Sequence, residues 1–140
     1  MLKSHIKQEV KEEFKQQEGD PQLRGRIRSI QREMSRKRMM GDVETADVIV
    51  TNPTHIAIAL RYDPTLQDAP MVIAKGQRLL AERIKELARE ANVPMVENKP
   101  LARALYKTAQ VGEQIPEELF KAVAEVLAFV FHLKRGKKGA

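Results

Sequence analysis

The sequence predicts an α/β (α+β) fold: a small mixed β-sheet of about four strands surrounded by helices, preceded by a long charged N-terminal helix. Three observations lead there. Four short apolar runs, Asp47–Val50, Ile56–Leu60, Met71–Ala74 and Pro94–Glu97, have the length of buried strands. Segments with helical periodicity lie between and after them. Before residue 43 the chain is highly charged and poor in large apolar side chains, and the division falls there.

Taken in order, residues 4–18 favour helix, and Gly19-Asp20-Pro21 interrupts it. A second helix is predicted from Pro21 to about Met40, with Leu23, Ile27, Ile30 and Met34 spaced by three and four. That stripe is thin, so this helix is expected to stand off the core or to dock on something outside the chain. Ile56-Ala57-Ile58-Ala59-Leu60 alternates large and small, the pattern of a strand packed on two unequal faces. Gln77–Ala91 is amphipathic, with Leu80, Ile84, Leu87 and Ala91 on one stripe and Asn92 as its C-terminal cap.

Two more helices are predicted to begin at prolines. One runs from Pro100 and ends before Gly112; the other runs from Pro116 to about Leu133, with Glu117 and Glu118 at its positive end. The third strand, its helix and the fourth strand read as a βαβ unit, implying a parallel pair. Only five residues separate the first two strands, too few for a crossover, so as neighbours they run antiparallel. The expected organisation is a charged helical linker over 1–42, a compact domain over 43–133 and a basic flexible tail over 134–140.

Composition narrows the function classes. Apolar residues make up 42% of the 140, enough for a core, and with aromatics at 4% that core must be aliphatic. The absence of cysteine excludes disulfides, thiolate zinc sites and a cysteine nucleophile. His5, His55 and His132 lack the close spacing of a metal site, and no metal or other cofactor is expected. The longest apolar run, Ala122–Phe131, is about half the length a bilayer span needs and contains Glu125. Charges from Lys3 onward argue against a signal peptide, so the chain as given is expected to be soluble.

The net charge of +6 is unevenly placed. Arg24, Arg26, Arg28, Arg32, Arg36, Lys37 and Arg38 stand against Glu33 alone, and Lys134, Arg135, Lys137 and Lys138 crowd the C-terminus. Such clusters suit a nucleic acid, an anionic membrane surface or simply a solvated helix face. Interleaved aromatics and a nucleic-acid motif are both missing, so no nucleic acid is expected. A conventional hydrolase or transferase would need a phosphate loop, paired carboxylates or a serine elbow, and none is found.

The chemistry-bearing stretch is Asn52-Pro53-Thr54-His55, between two apolar strands. Asn-Pro is a turn opener, and a plain turn is one reading. The other follows from what proline lacks. With no N–H on Pro53, the usual attack of a backbone nitrogen on the asparagine side chain is closed. The reverse attack stays open: the Asn52 side-chain nitrogen can add to its own backbone carbonyl, close a succinimide and expel the proline nitrogen. A tight turn would supply the near-attack geometry, and a donor aimed at the developing oxyanion would stabilise it. His55 is the candidate to shuttle the proton or merely to brace the turn, and Thr54 offers a hydroxyl or fixes the backbone.

Asn52-Pro53-Thr54-His55 resembles the self-cleavage signature of the export switch family of bacterial flagella and the related virulence secretion systems. The likeness continues through Glu18-Gly19-Asp20-Pro21, Arg38-Met39-Met40, Ala74-Lys75-Gly76, Pro100 to Tyr106 and Ala122 to Ala128. Two of these, Glu-Gly-Asp-Pro and Ala-Lys-Gly, favour the flagellar branch over the virulence branch. The resemblance implies a cytoplasmic domain that follows a helical membrane domain at the bacterial inner membrane, so an excised fragment is expected, with Met1 added at its start. It also implies self-cleavage at Asn52–Pro53, in a single turnover, and a change of export from rod and hook to filament substrates. The implied partners are export-gate components and the export substrates or their chaperones. The basic linker is expected beside the anionic inner membrane. A substrate-docking surface is expected where Ala69 and Pro70 lie beside an exposed part of the last helix, at Ala124 and Leu127.

Overall fold

The computed structural model describes residues 19–139, with side chains through Lys134; the helix expected over 4–18 lies outside the described residues. The chain divides into two units, residues 1–37 and 38–140. Helix α1 (Pro21–Asp42) starts where the sequence breaks. Asp20 caps it, its Oδ1 accepting from the N–H groups of Gln22 at 2.9 Å and Leu23 at 3.4 Å, with Pro21 in the first helical position. No residue of α1 is buried; Ile30 and Met34 are 50% and 57% exposed, as the thin stripe predicts.

A 3₁₀ turn, Val43–Thr45, leads into the sheet, which contains β1 (Val48–Asn52), β2 (Ile56–Arg61), β3 (Met71–Gln77) and β4 (Met95–Glu97). Helix α2 (Leu79–Glu90) follows β3, and α3 (Lys99–Thr108) and α4 (Phe120–Gly139) follow β4. The order across the sheet is β3-β2-β1-β4. β1 and β2 are antiparallel, as their short connection demands, and β4 lies parallel to β1 on its other side.

This corrects the βαβ expectation. β3 and β4 point the same way but are not a pair, because β2 and β1 lie between them. β3 reaches β2 directly through residues 62–70 and takes the antiparallel place beside it, so α2 carries the chain across the whole sheet. Helix α4 also differs from expectation. It begins after a 3₁₀ turn, Glu117–Leu119, and its backbone stays helical to Gly139, past the end expected near Leu133.

The large–small alternation in β2 has a packing cause. Val48, Val50, Ile56, Ile58, Leu60 and Val72 face α3 and α4, whose Leu101, Leu105, Val123, Val126, Leu127 and Val130 complete that half of the core. Ile49, Ala57, Ala59, Ile73 and Ala74 face the other way, against Ala81, Ile84 and Ala88 of α2 and Val43. Small residues on both partners let α2 lie close to the sheet. Gly76 carries this furthest, because a Cβ there would sit 2.8 Å from Leu80 Cγ and 3.1 Å from Ile84 Cδ1. A bulge leaves Ile73 without a partner between Val72 and Ala74, so two successive side chains face α2.

The helix ends obey local chemistry. After α2, Asn92 adopts φ +58° and closes a Schellman motif: its N–H donates to Arg89 and that of Val93 donates to Ala88. Ala91, expected on the buried stripe, is instead the exposed cap; the inner face runs through Ala81, Ile84, Lys85 and Ala88. At α3, Asn98 is the N-cap, its Oδ1 accepting from Leu101 N–H at 3.2 Å, so Pro100 sits second rather than first. The C-terminal carbonyls of α3 at Tyr106 and Ala109 accept from Lys75 Nζ at 3.1 and 2.9 Å, a cation where the helix dipole is negative.

Candidate functional site

Asn52 is the last residue of β1 and pairs with Ile56, the first of β2, so Pro53, Thr54 and His55 form the connection. The His55 N–H donates to the Asn52 carbonyl at 3.0 Å and closes the turn. Strand pairing fixes the peptide before Asn52, whose neighbouring Thr51 carbonyl accepts from Asn98 N–H at 3.0 Å. On the far side, the His55 carbonyl accepts from Arg78 N–H at 3.0 Å, and the Pro53 carbonyl accepts from Lys85 Nζ at 2.7 Å. Three elements thus hold the turn: β1 with its α3 cap, the β3–α2 corner, and α2 itself.

The corner is strained. Arg78 has φ +57° and ψ −123°, a conformation natural to glycine, and from it donates to the turn. Asn52 and Pro53 are half-buried, while Thr54 and His55 are exposed. Among the described residues no hydrogen bond ties down the Asn52 side-chain amide, which is left free to move toward its own carbonyl. The donor on that carbonyl is the backbone N–H of His55.

Lys85 was missed altogether. Its signal was a basic residue next to Ile84 and between Ala81 and Ala88 on the helix's inner face; it is 8% exposed. Glu82 Oε1 holds the same ammonium at 2.8 Å. That hydrogen bond and the ammonium's charge keep the Glu82 carboxyl below its ordinary value of 4.5.

Ala69, Pro70, Ala124 and Leu127 come together in one groove. Tyr62, Asp68, Phe120, Ala128 and Phe131 complete its lining, and it encloses about 370 Å³. Ala124 is exposed on its rim, whereas Ala69 and Leu127 are 2% and 4% exposed and form its floor. Leu127 was expected at the surface, but it lies on α4's inner stripe with Val123, Val126 and Val130. The β3 end beside the groove is braced by residues 112–115, whose Ile115 N–H donates to the Pro70 carbonyl at 2.9 Å.

Residues 5–130 match the profile of the FlhB, HrpN, YscU and SpaS family of bacterial export proteins. The chain belongs to this family. Its relatives in the family include the flagellar biosynthetic protein FlhB of Yersinia enterocolitica, 55% identical over 98% of this chain. FlhB of Escherichia coli is 56% identical over 94% of it. The chain spans only 37% and 36% of those two proteins. Among solved structures of the family, the cytoplasmic domain of FlhB from Shewanella putrefaciens has 52% identity and a TM-score of 0.71, over 74% of this chain and 80% of that one. A mutated EscU C-terminal domain has 37% identity and a TM-score of 0.63, over 66% of this chain and 98% of that one. The match to this FlhB domain is thus stronger than that to the EscU domain, and it falls on the cytoplasmic domain. No helix among the described residues is long and apolar enough to cross a membrane.

Proposed function

We propose that this chain is the cytoplasmic part of a flagellar protein-export component and that it cuts its own backbone between Asn52 and Pro53. The observation that carries the reading is the pairing of a free Asn52 amide with an Asn52 carbonyl already polarised by the His55 N–H at 3.0 Å. The side-chain nitrogen adds to the carbonyl carbon, and the oxygen takes up negative charge against that N–H. The tetrahedral centre then collapses, the Asn52–Pro53 bond breaks, and one amide proton passes from the asparagine nitrogen to the proline nitrogen. Residues 1–52 end in a succinimide and residues 53–140 begin with a secondary amine. His55 and Thr54, both exposed, are reached by solvent and relay that proton or brace the turn.

In the assembled exporter the cut alters the surface that partners read, and export passes from rod and hook to filament substrates. Substrates or their chaperones dock in the groove of Ala69, Pro70, Ala124 and Leu127, an apolar recess with the aromatic residues Tyr62, Phe120 and Phe131 beside it. Other export-gate components adjoin the domain at the inner face of the bacterial membrane. The basic residues of α1 face its anionic lipids there.

Intact mass under denaturing conditions, on fresh protein beside an Asn52→Ala variant, tests the chemistry. Two wild-type fragments, 1–52 and 53–140, with the first one water lighter while the succinimide lasts, and an uncut variant are expected. A wild-type chain that stays whole on long incubation would remove the reading. For the groove, Ala124→Asp on the exposed rim should abolish substrate binding without unfolding the domain; unchanged binding removes the docking assignment.

A further inference from the structure

We propose that Lys85 is a positioning residue for the cut: its ammonium anchors the Pro53 carbonyl and fixes the departing side of the Asn52–Pro53 bond. This rests on the self-cleavage reading and adds to it a group from a distant part of the chain.

Among the described residues Lys85 is the one charged side chain that is buried. A lysine on the inner face of a helix is unusual unless its amine has a task there. Lys75 shows what a structural task looks like in this fold, since its amine satisfies the carbonyls at a helix end. Lys85 does nothing of that kind. Its ammonium reaches out of the core to a carbonyl in a turn whose next two residues, Thr54 and His55, are exposed. Water could satisfy such a carbonyl, and immobilising a lysine side chain is entropically unfavourable. The bond at 2.7 Å and the ion pair with Glu82 at 2.8 Å together hold the amine in one place.

What the arrangement supplies is control of the Pro53 residue. The near side of the breaking bond is fixed by strand pairing at Asn52, and the His55 N–H fixes its oxygen. Among the described residues Lys85 supplies the hydrogen bond that reaches Pro53 from outside the turn. Anchoring its carbonyl sets the orientation of the proline nitrogen against the incoming asparagine nitrogen, so that attack and departure are aligned. A cation on that carbonyl also withdraws electron density from the departing amine and eases its release. Lys85 touches neither reacting atom and acts through the Pro53 peptide.

The test follows cleavage of freshly made chains in a cell-free translation reaction, after a pulse of label, for the wild type, Lys85→Met and Lys85→Arg. The expected result is at least about tenfold slower cutting in Lys85→Met, with Lys85→Arg recovering most of the rate. Thermal midpoints of the same substitutions in the uncut Asn52→Ala background separate positioning from folding. Wild-type speed in Lys85→Met overturns the proposal, and so does a slowing in both variants that simply follows their loss of stability. Should the wild type never cut, the cleavage reading fails alone, and the anchor is judged on the Asn52→Ala chain by NMR. There Lys85→Met should move the Pro53 carbonyl ¹³C resonance and speed exchange of the His55 N–H several-fold. Unchanged values overturn the anchor.

Discussion

Replacing Gly76 by alanine adds one methyl group at the closest approach between the sheet and α2. Its carbon would lie 2.8 Å from Leu80 Cγ, 3.0 Å from Leu80 Cβ and 3.1 Å from Ile84 Cδ1. Ordinary carbon contacts are about 3.5–4.0 Å, so relief requires roughly half an ångström to an ångström of retreat. Leu80 Cγ can swing aside. Leu80 Cβ cannot move without the helix backbone, and Ile84 is fully buried with nowhere to yield. Overpacking of this kind costs about 1–3 kcal/mol. Removing a glycine from a strand returns about 0.5–1 kcal/mol. The net expectation is a loss of about 1–2 kcal/mol, or roughly 4–15 °C in the thermal midpoint for a domain of this size. Circular dichroism melts of Gly76→Ala and its parent, both carrying Asn52→Ala to avoid the cut, measure it. An equal or higher midpoint would refute the argument that small residues set the helix-to-sheet distance. Because α2 also carries Lys85, the same substitution should slow cleavage in the wild-type background.

Lys75→Met removes both bonds to the end of α3 and the placement of the amine 5.1 Å from the Tyr106 ring centre. A loss of about 2 kcal/mol is expected from the denaturant midpoint, with no slowing of the cut beyond what that loss explains. Acid should act through Glu82. Its folded-state pKa lies below its ordinary 4.5, so the ion pair's contribution is complete above that pH and disappears as pH falls through the depressed value. The midpoint difference between Glu82→Gln and its parent should therefore close on acidification below 4.5, and a gap that widened instead would contradict the assignment. Asp63, held below its ordinary 3.8 chiefly by the Thr65 hydroxyl and N–H, predicts the same behaviour for Asp63→Asn at lower pH.

The parts of the fold visible in the sequence are those encoded by neighbours along the chain. Alternation in Ile56–Leu60 announced two unequal faces, and Asn92 announced a helix end, because each depends on residues within one or two turns. Sheet order is different in kind. Nothing in Met95–Glu97 states that its partner is β1 rather than β3; that partner is set by a pairing such as Ile49 with Met95, far beyond what neighbours along the chain encode. The turn at Asn52 was visible as a chemical motif, yet its supports were not. Backbone N–H groups from His55 and Arg78 carry no sequence signature, and Lys85 reaches Pro53 across 32 positions. The positive φ of Arg78 and the burial of Lys85 both run against what those residue types suggest alone, since packing rather than composition decides them.

The place of β1 within the sheet has a mechanical meaning. Its five cross-strand partners on β2 and three on β4 all belong to residues 53–140, while β1 itself belongs to residues 1–52. With the bond after Asn52 opened, the two pieces would be joined as a tenon is held between two cheeks. Tension arriving from the N-terminal side would enter at Val48 and pull β1 along its own axis, loading the ladders on both sides in shear together. A strand at the edge, pulled the same way, would have a single ladder to hold it. Set in the interior, this one resists as a unit, so a severed turn leaves a joint that still transmits force.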